Sequence, residues 1–138
     1  MVPLTAGLDA AFGWSPPFSL QAKAVALLVI LAGHALASYA LIENRFFSGV
    51  VRIQFDRGHR VVSTGPYRWM RHPGYLGAIL AYLAAPAFLD SACAFLPAAV
   101  IVAALVVRTR LEDRALQEEL EGYREYAGQV RYRLVPGV

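Results

Sequence analysis

The sequence predicts an all-α integral membrane protein with about three transmembrane helices, a cytoplasmic connector and a C-terminal amphipathic helix that together enclose a pocket. Three observations carry this. Of 138 residues, 57% are hydrophobic and only 17% charged, with a mean hydropathy of +0.45. The apolar residues gather into three runs, 20–42, 74–89 and 92–107. Twelve of the thirteen basic residues fall outside those runs in two segments, 43–73 and 108–138, separated by an even number of spans.

Segment 1–19 has no basic opening and places Trp14-Ser15-Pro16-Pro17 where a leader would need an apolar core, so a conventional signal peptide is not expected. It is set apart from the membrane domain, 20–138. Run 20–42 is 23 residues, about 34 Å as an α-helix, broken only by Gln21, Lys23, His34 and Ser38; it is long enough to span. Runs 74–89 and 92–107 are 16 residues each, about 24 Å, and reach across the ~30 Å hydrocarbon core only if flanking residues extend them. Asp90 and Ser91 are the polar break between them, which predicts a tight helical hairpin. Pro86 and Pro97 are expected to kink it where neighbouring helices absorb the bend.

The arginines set the orientation. The connector carries Arg45, Arg52, Arg57, Arg60, Arg68 and Arg71, and the tail carries Arg108, Arg110, Arg114, Arg124, Arg131 and Arg133; Lys23 alone lies on the other side. The positive-inside rule then puts connector and C-terminus in the cytoplasm, with the protein in an inner or plasma membrane. The tail balances six arginines with six acids, whereas the connector has only Glu43 and Asp56 against its six. Much of the chain's net +3 therefore sits in one loop that can attract anionic headgroups, a phosphate or a carboxylate. Nucleic acid is a poor partner for charge placed beside a membrane with no separate basic domain.

Within the connector, Asp56-Arg57-Gly58-His59 reads as a turn, 60–64 as β-prone, and Gly65-Pro66 as a second break. Beyond Val107 the helix is expected to continue amphipathically. Leu116 and Leu120 share a face, Arg114 stands four residues before Glu118, and Gly122 ends the helix. The alternation Val130-Arg131-Tyr132-Arg133-Leu134 predicts an extended finish against the protein or the headgroups. Cys93 is the single cysteine, which excludes an intramolecular disulfide and a thiolate metal cluster; it is expected to act as a small buried hydrophobe.

Four groups can build one cytoplasmic pocket: His59 to Val62 with Arg60 and Val61 between them, Tyr67, His72 with Tyr75, and Arg108 with Glu112. Pro73 suits the first turn of a helix and biases His72 toward an extended or capping conformation, giving a polar elbow at the membrane boundary. Arg108 and Glu112, spaced i, i+4, either pair with each other while Arg108 snorkels, or hold an anionic lipid group and a ligand amine or hydroxyl respectively. Tyr67 and Tyr75 are either membrane-belt residues or aromatic faces for a ligand cation. His34 lies mid-span and is read as a helix-packing hydrogen-bonder. The three histidines, 25 and 13 residues apart, match no zinc spacing, so no metal is expected. Neither a nucleophile elbow, a P-loop nor a dinucleotide fingerprint is present. What remains is a transfer reaction in which a cofactor supplies the reactive group.

Three elements in order then carry a resemblance. Gly65-Pro66-Tyr67-Arg68-Trp69-Met70-Arg71-His72-Pro73-Gly74-Tyr75-Leu76-Gly77, followed by Arg108-Thr109-Arg110-Leu111-Glu112-Asp113 and Gly122-Tyr123-Arg124-Glu125-Tyr126, closely resembles the isoprenylcysteine carboxyl methyltransferase and phospholipid methyltransferase group over about 44–138. The resemblance implies an integral membrane methyltransferase that binds S-adenosyl-L-methionine through His59, Arg60, Val61, Val62, Tyr67, His72, Pro73, Gly74, Tyr75 and Glu112. Arg108 matches the family's substrate-binding arginine, and with Glu112 forms the expected catalytic pair. The acceptor it implies is membrane-borne: an isoprenylcysteine-type carboxylate, a phospholipid amine or a small thiol. Two departures stand out. Family members usually carry one or two further N-terminal helices, where this chain has 1–19, and the second acid of the usual Glu-Glu pair is Asp113 here. A partner subunit or second copy could complete such a chain. The competing expectation is a non-catalytic membrane subunit that binds lipid or protein through the basic connector.

Overall fold

The computed structural model describes residues 1–46 and 60–135, and among these every regular element is helical. They are α1 (Val2–Phe12), α2 (Leu20–Glu43), a 3-10 turn (Gly65–Arg68), α3 (Pro73–Phe88), α4 (Phe95–Glu119) and α5 (Tyr123–Gln129). The expected turn at residues 56–59, with His59, lies outside the described residues. The β-prone stretch 60–64 forms no strand: its described backbone is irregular and leads into the 3-10 turn. The chain divides into two units, 1–35 with 77–105, and 36–76 with 106–138.

In the first unit, α2 is the helix long and apolar enough to cross a membrane. Only 17% of its most apolar stretch is buried, and Leu20, Val25, Leu28 and Leu31 stand exposed, as lipid-facing residues would. Its Gly33 is pressed against another helix: a Cβ there would lie 2.5 Å from the Gly77 carbonyl oxygen and 3.2 Å from the Ala81 nitrogen. Small residues permit this approach, which is how apolar helices associate where lipid removes the hydrophobic driving force. His34 Nδ1 lies 2.8 Å from the Ile30 carbonyl of its own helix, so its hydrogen bond is local.

The hairpin forms as expected, with shifted ends. Asp90 takes a positive φ of 56° in the turn. Pro86 is inside α3, whereas Pro97 falls in the first turn of α4, where its missing N–H breaks no helical bond; the kink expected there has no cause. Cys93 is exposed in the turn and not buried in a helix, because α4 starts only at Phe95.

Segment 1–19 holds a helix that the sequence reading leaves out. Val2 and Ala6 of α1 pack with Ala94 and Ala98, and the Asp9 carboxylate clasps the turn. It accepts hydrogen bonds from the Ser15 N–H (2.8 Å) and hydroxyl (2.6 Å), the Ser91 hydroxyl (2.5 Å) and the Cys93 N–H (3.4 Å). The Ser15 and Ser91 hydroxyls lower its pKa to about 2, against the opposing effect of burial. Beside it Asp90 accepts from the Phe18 N–H and pairs with Lys23 Nζ, each at 2.8 Å.

In the second unit the core is aromatic: Ala40, Tyr67, Leu120, Tyr123 and Tyr126, with Val61, Val62 and Leu116 packed on it. The Tyr126 hydroxyl donates to the Tyr67 carbonyl at 2.7 Å. Helix α4 runs on unbroken to Glu119, carrying Leu116 inward, with Leu120 buried just past its end, and the Arg114–Glu118 pair (2.7 Å) outward, as their spacing predicts. Gly122, at φ 79°, turns the chain into α5, a short helix that brings Tyr123 and Tyr126 back to the core.

Candidate functional site

The elbow before α3 is built on one buried ion pair. Arg71 grips Asp113 of α4 with Nε on Oδ1 (2.7 Å) and Nη2 on Oδ2 (3.0 Å), a side-on, two-point contact. Its Nη1 donates to the carbonyls of Val130 (2.7 Å) and Arg131 (3.0 Å). The backbone N–H groups of Arg71 and His72 donate to Tyr132 and Arg133, both at 2.9 Å. The tail forms no strand where an extended finish is expected: its backbone is irregular with bends at 133–135, and the elbow binds it to the protein.

Asp113 also contacts His72 Nε2 (3.2 Å) and accepts from Gln117 Nε2 (2.8 Å) and the Tyr123 hydroxyl (3.0 Å). Burial by itself would raise its pKa. Hydrogen bonds from His72 and Arg71, with the Arg71 charge, outweigh burial and hold Asp113 well below the usual carboxylate range. Burial and the neighbouring Asp113 charge push the Tyr123 hydroxyl far up, so it stays a donor.

One residue before this hub, on the same helix, lies a second polar arrangement. Tyr75, in the first turn of α3, donates its hydroxyl to Glu112 Oε2 at 2.5 Å and accepts from Arg108 Nε at 2.7 Å. The Arg108 guanidinium carbon is 5.9 Å from the centroid of the Tyr75 ring, and the His72 ring centre also lies 5.9 Å from it. Arg108 and Glu112 share a helix face, as their spacing predicts, but the tyrosine hydroxyl stands between them as a relay.

The expected site residues are placed as follows. Tyr75 is hydrogen-bonded to both Arg108 and Glu112, and Pro73 and Gly74 are buried in the turn that carries Tyr75. His72 is 5% exposed and turned to Asp113. Tyr67 sits in the aromatic core, where burial pushes its hydroxyl up to about 12, with Glu112 and Glu43 adding to that rise and an Asn44 hydrogen bond opposing it. Val61 and Val62 are half-buried against the same core, and Arg60 is exposed. Sequence assigns no site role to Tyr123, and it does not pair Arg71 with Asp113. The available signal was charge: an arginine and an aspartate beside apolar runs must find partners.

Fold and site define a helical protein of membrane character that carries an arginine–tyrosine–carboxylate relay on a buried ionic scaffold. The chain belongs to the Isoprenylcysteine carboxyl methyltransferase (ICMT) family, whose sequence model matches residues 24–118. A "Probable protein-S-isoprenylcysteine O-methyltransferase" of Oryza sativa subsp. indica is 35% identical over 57 residues, 41% of this chain and 30% of that protein. The "Protein-S-isoprenylcysteine O-methyltransferase" of Rattus norvegicus is 29% identical over 99 residues, 71% of this chain and 33% of that protein. An uncharacterized Bacillus subtilis (strain 168) protein, YpbQ, is 40% identical over 62 residues, 44% of this chain and 37% of its own length. The chain spans about a third of the length of these relatives.

Proposed function

We propose that this chain transfers a methyl group from S-adenosyl-L-methionine to the carboxylate of a lipophilic, membrane-borne acceptor of the isoprenylcysteine type. The Arg108–Tyr75–Glu112 relay is the observation that carries the reading. The residues present fit the cofactor by chemistry. Glu112 is an acceptor for an ammonium or a hydroxyl, Tyr67 and Tyr75 offer aromatic rings, and Val61 and Val62 are half-buried apolar side chains. His72, Pro73 and Gly74 would shape the turn beneath it, and Arg60 and His59 are proposed as further contacts. When bound, the cofactor supplies an electrophilic methyl on sulfur, so that esterification forms a C–O bond and breaks a C–S bond with no proton to move.

The protein's share is positioning. A carboxylate acceptor is ionised at neutral pH and needs no base, which suits a site whose arginine is held through Nε by a neutral tyrosine hydroxyl. The planar guanidinium of Arg108 matches a carboxylate two-point, and holding the acceptor in line replaces much of the entropic cost of the encounter. Arg71 and Asp113 act as positioning residues by fixing α3 against α4. The names of the rice and rat relatives, both isoprenylcysteine O-methyltransferases, favour the carboxylate over an amine or thiol. We place the relay at the cytoplasmic boundary, with α2, α3 and the apolar part of α4 as three spans and the C-terminus in the cytoplasm.

The test is transfer of radiolabelled methyl to an S-farnesylated cysteine with a free carboxylate, against the same molecule capped as its amide. Only the free acid should accept label. Arg108→Lys should lower kcat/KM for it about 10–100-fold, about 1.4–2.7 kcal/mol, because lysine keeps the charge but not the fork. Equal labelling of acid and amide would sink the carboxylate assignment, and an unchanged kcat/KM would sink the role of Arg108.

A further inference from the structure

A groove of about 470 Å³ in the second unit lies apart from the relay, and the function proposed above leaves it unused. Its walls are the 3-10 turn, which brings Arg68, Trp69 and Met70, and the tail, which brings Arg131, Tyr132 and Leu134. No acidic residue is among those that line it. Trp69 is 69% exposed and Tyr132 46%, whereas Leu134 is 4% exposed. Large aromatic rings left this open are costly in water, yet they are the residues that settle where hydrocarbon meets headgroups. The arginines of the tail are divided between two clefts: Arg131 lines this groove, while Arg133 lines a separate one with Arg110, Arg114 and Arg124.

The groove is also tied to the start of α3. Arg71 and His72, immediately before Pro73, hold the tail through their backbone N–H groups, and the Arg71 side chain holds the carbonyls of Val130 and Arg131. Both walls therefore lie within a few residues of the point where α3 would enter the bilayer. We infer that this groove is a binding site for an anionic phospholipid, with Arg68 and Arg131 on its phosphate and Trp69, Tyr132 and Met70 against its glycerol and upper acyl chain. The inference rests on the membrane reading of α3 given above. It assigns a lipid to the groove as a resident of the cytoplasmic leaflet, and not as a methyl acceptor.

Trp14 and Trp69 are the two tryptophans of the chain, so Trp14→Phe leaves Trp69 as the sole reporter. The full chain carrying Trp14→Phe is placed in phosphatidylcholine vesicles, and brominated phosphatidylglycerol or brominated phosphatidylcholine is titrated in while the emission of Trp69 is read. Half-maximal quenching should need about 25-fold less of the anionic lipid, since one basic residue near a charged leaflet is worth about fivefold and the effects of two multiply. Arg68→Gln with Arg131→Gln should erase the preference, and Arg114→Gln with Arg124→Gln, equal in charge but lining the separate cleft, should keep it. Equal midpoints for the two lipids would overturn the inference, as would a preference that survives the first pair of substitutions or is lost equally with the second. Erasure by inorganic phosphate at constant ionic strength would assign the groove to a soluble anion and overturn the lipid. Absence of quenching by both lipids would overturn it together with the entry of α3 into the bilayer. S-adenosyl-L-methionine affinity, measured on the same samples, reports separately on the proposed function and should stay within twofold throughout.

Discussion

At the scale of single residues, adjacent acids on α4 have been given different tasks by their surroundings. Glu112 takes the Tyr75 hydroxyl and stays half-buried, while Asp113 is sealed under Arg71, His72, Gln117 and Tyr123. A buried carboxylate with that many donors is costly to disturb, because the Arg71 charge would be left without its partner. Asp113→Asn should therefore lower stability by about 3–5 kcal/mol at pH 7, read by thermal unfolding in detergent. The pH dependence has a definite sign. The pKa of Asp113 is depressed in the fold, so its contribution is complete above about pH 4, the unfolded value, and is lost as pH falls through the folded one. The parent should lose stability on acidification below pH 4 and Asp113→Asn should lose less; parallel curves would contradict the assignment. Sequence made Arg108 and Glu112 legible because their spacing is local. It could not assign the partner of Asp113, since Arg71 is 42 residues away and no periodicity connects them.

At the scale of elements, what could be read was whatever repeats along one helix. Run 20–42 gave α2 almost to the residue, and run 92–107 with its amphipathic continuation gave α4. Helix α1 was not legible because it is short, about 16 Å, and its buried face is Val2, Ala6 and Asp9, a carboxylate whose Ser91 partner is 82 residues on. The contact of α2 with α3 is equally hidden, since nothing in the composition of Gly33 says that Gly77 will lie against it. That contact predicts an asymmetry between two helical glycines. Gly33→Ala places a methyl group 2.5 Å from a backbone oxygen and should cost about 1–3 kcal/mol. Gly7→Ala meets nothing within 4 Å and should be neutral or gain up to about 1 kcal/mol. Equal melting temperatures for the two variants would show that α2 and α3 are not in close contact.

At the scale of the whole molecule, charge and apolarity were the readable quantities and the pairing of segments was not. The arginine asymmetry on which the proposed orientation rests also supplies Arg71, Arg108, Arg68 and Arg131, so the residues that would fix topology are partly those of the proposed sites. With three spans, a reporter placed after Val138 and one inserted between Asp90 and Ser91 should be found on opposite sides of the membrane, the first cytoplasmic. Both on one side would rule out that arrangement. The central claim is that the relay on α3 and α4 holds S-adenosyl-L-methionine, and calorimetry of that compound with the full chain in detergent tests it most directly. Saturable binding near one per chain is expected, weakened by about 1.5–3 kcal/mol in Glu112→Gln, the range for a hydrogen bond to a charged group. Absence of binding by the folded parent, or an unchanged affinity in Glu112→Gln, would contradict it.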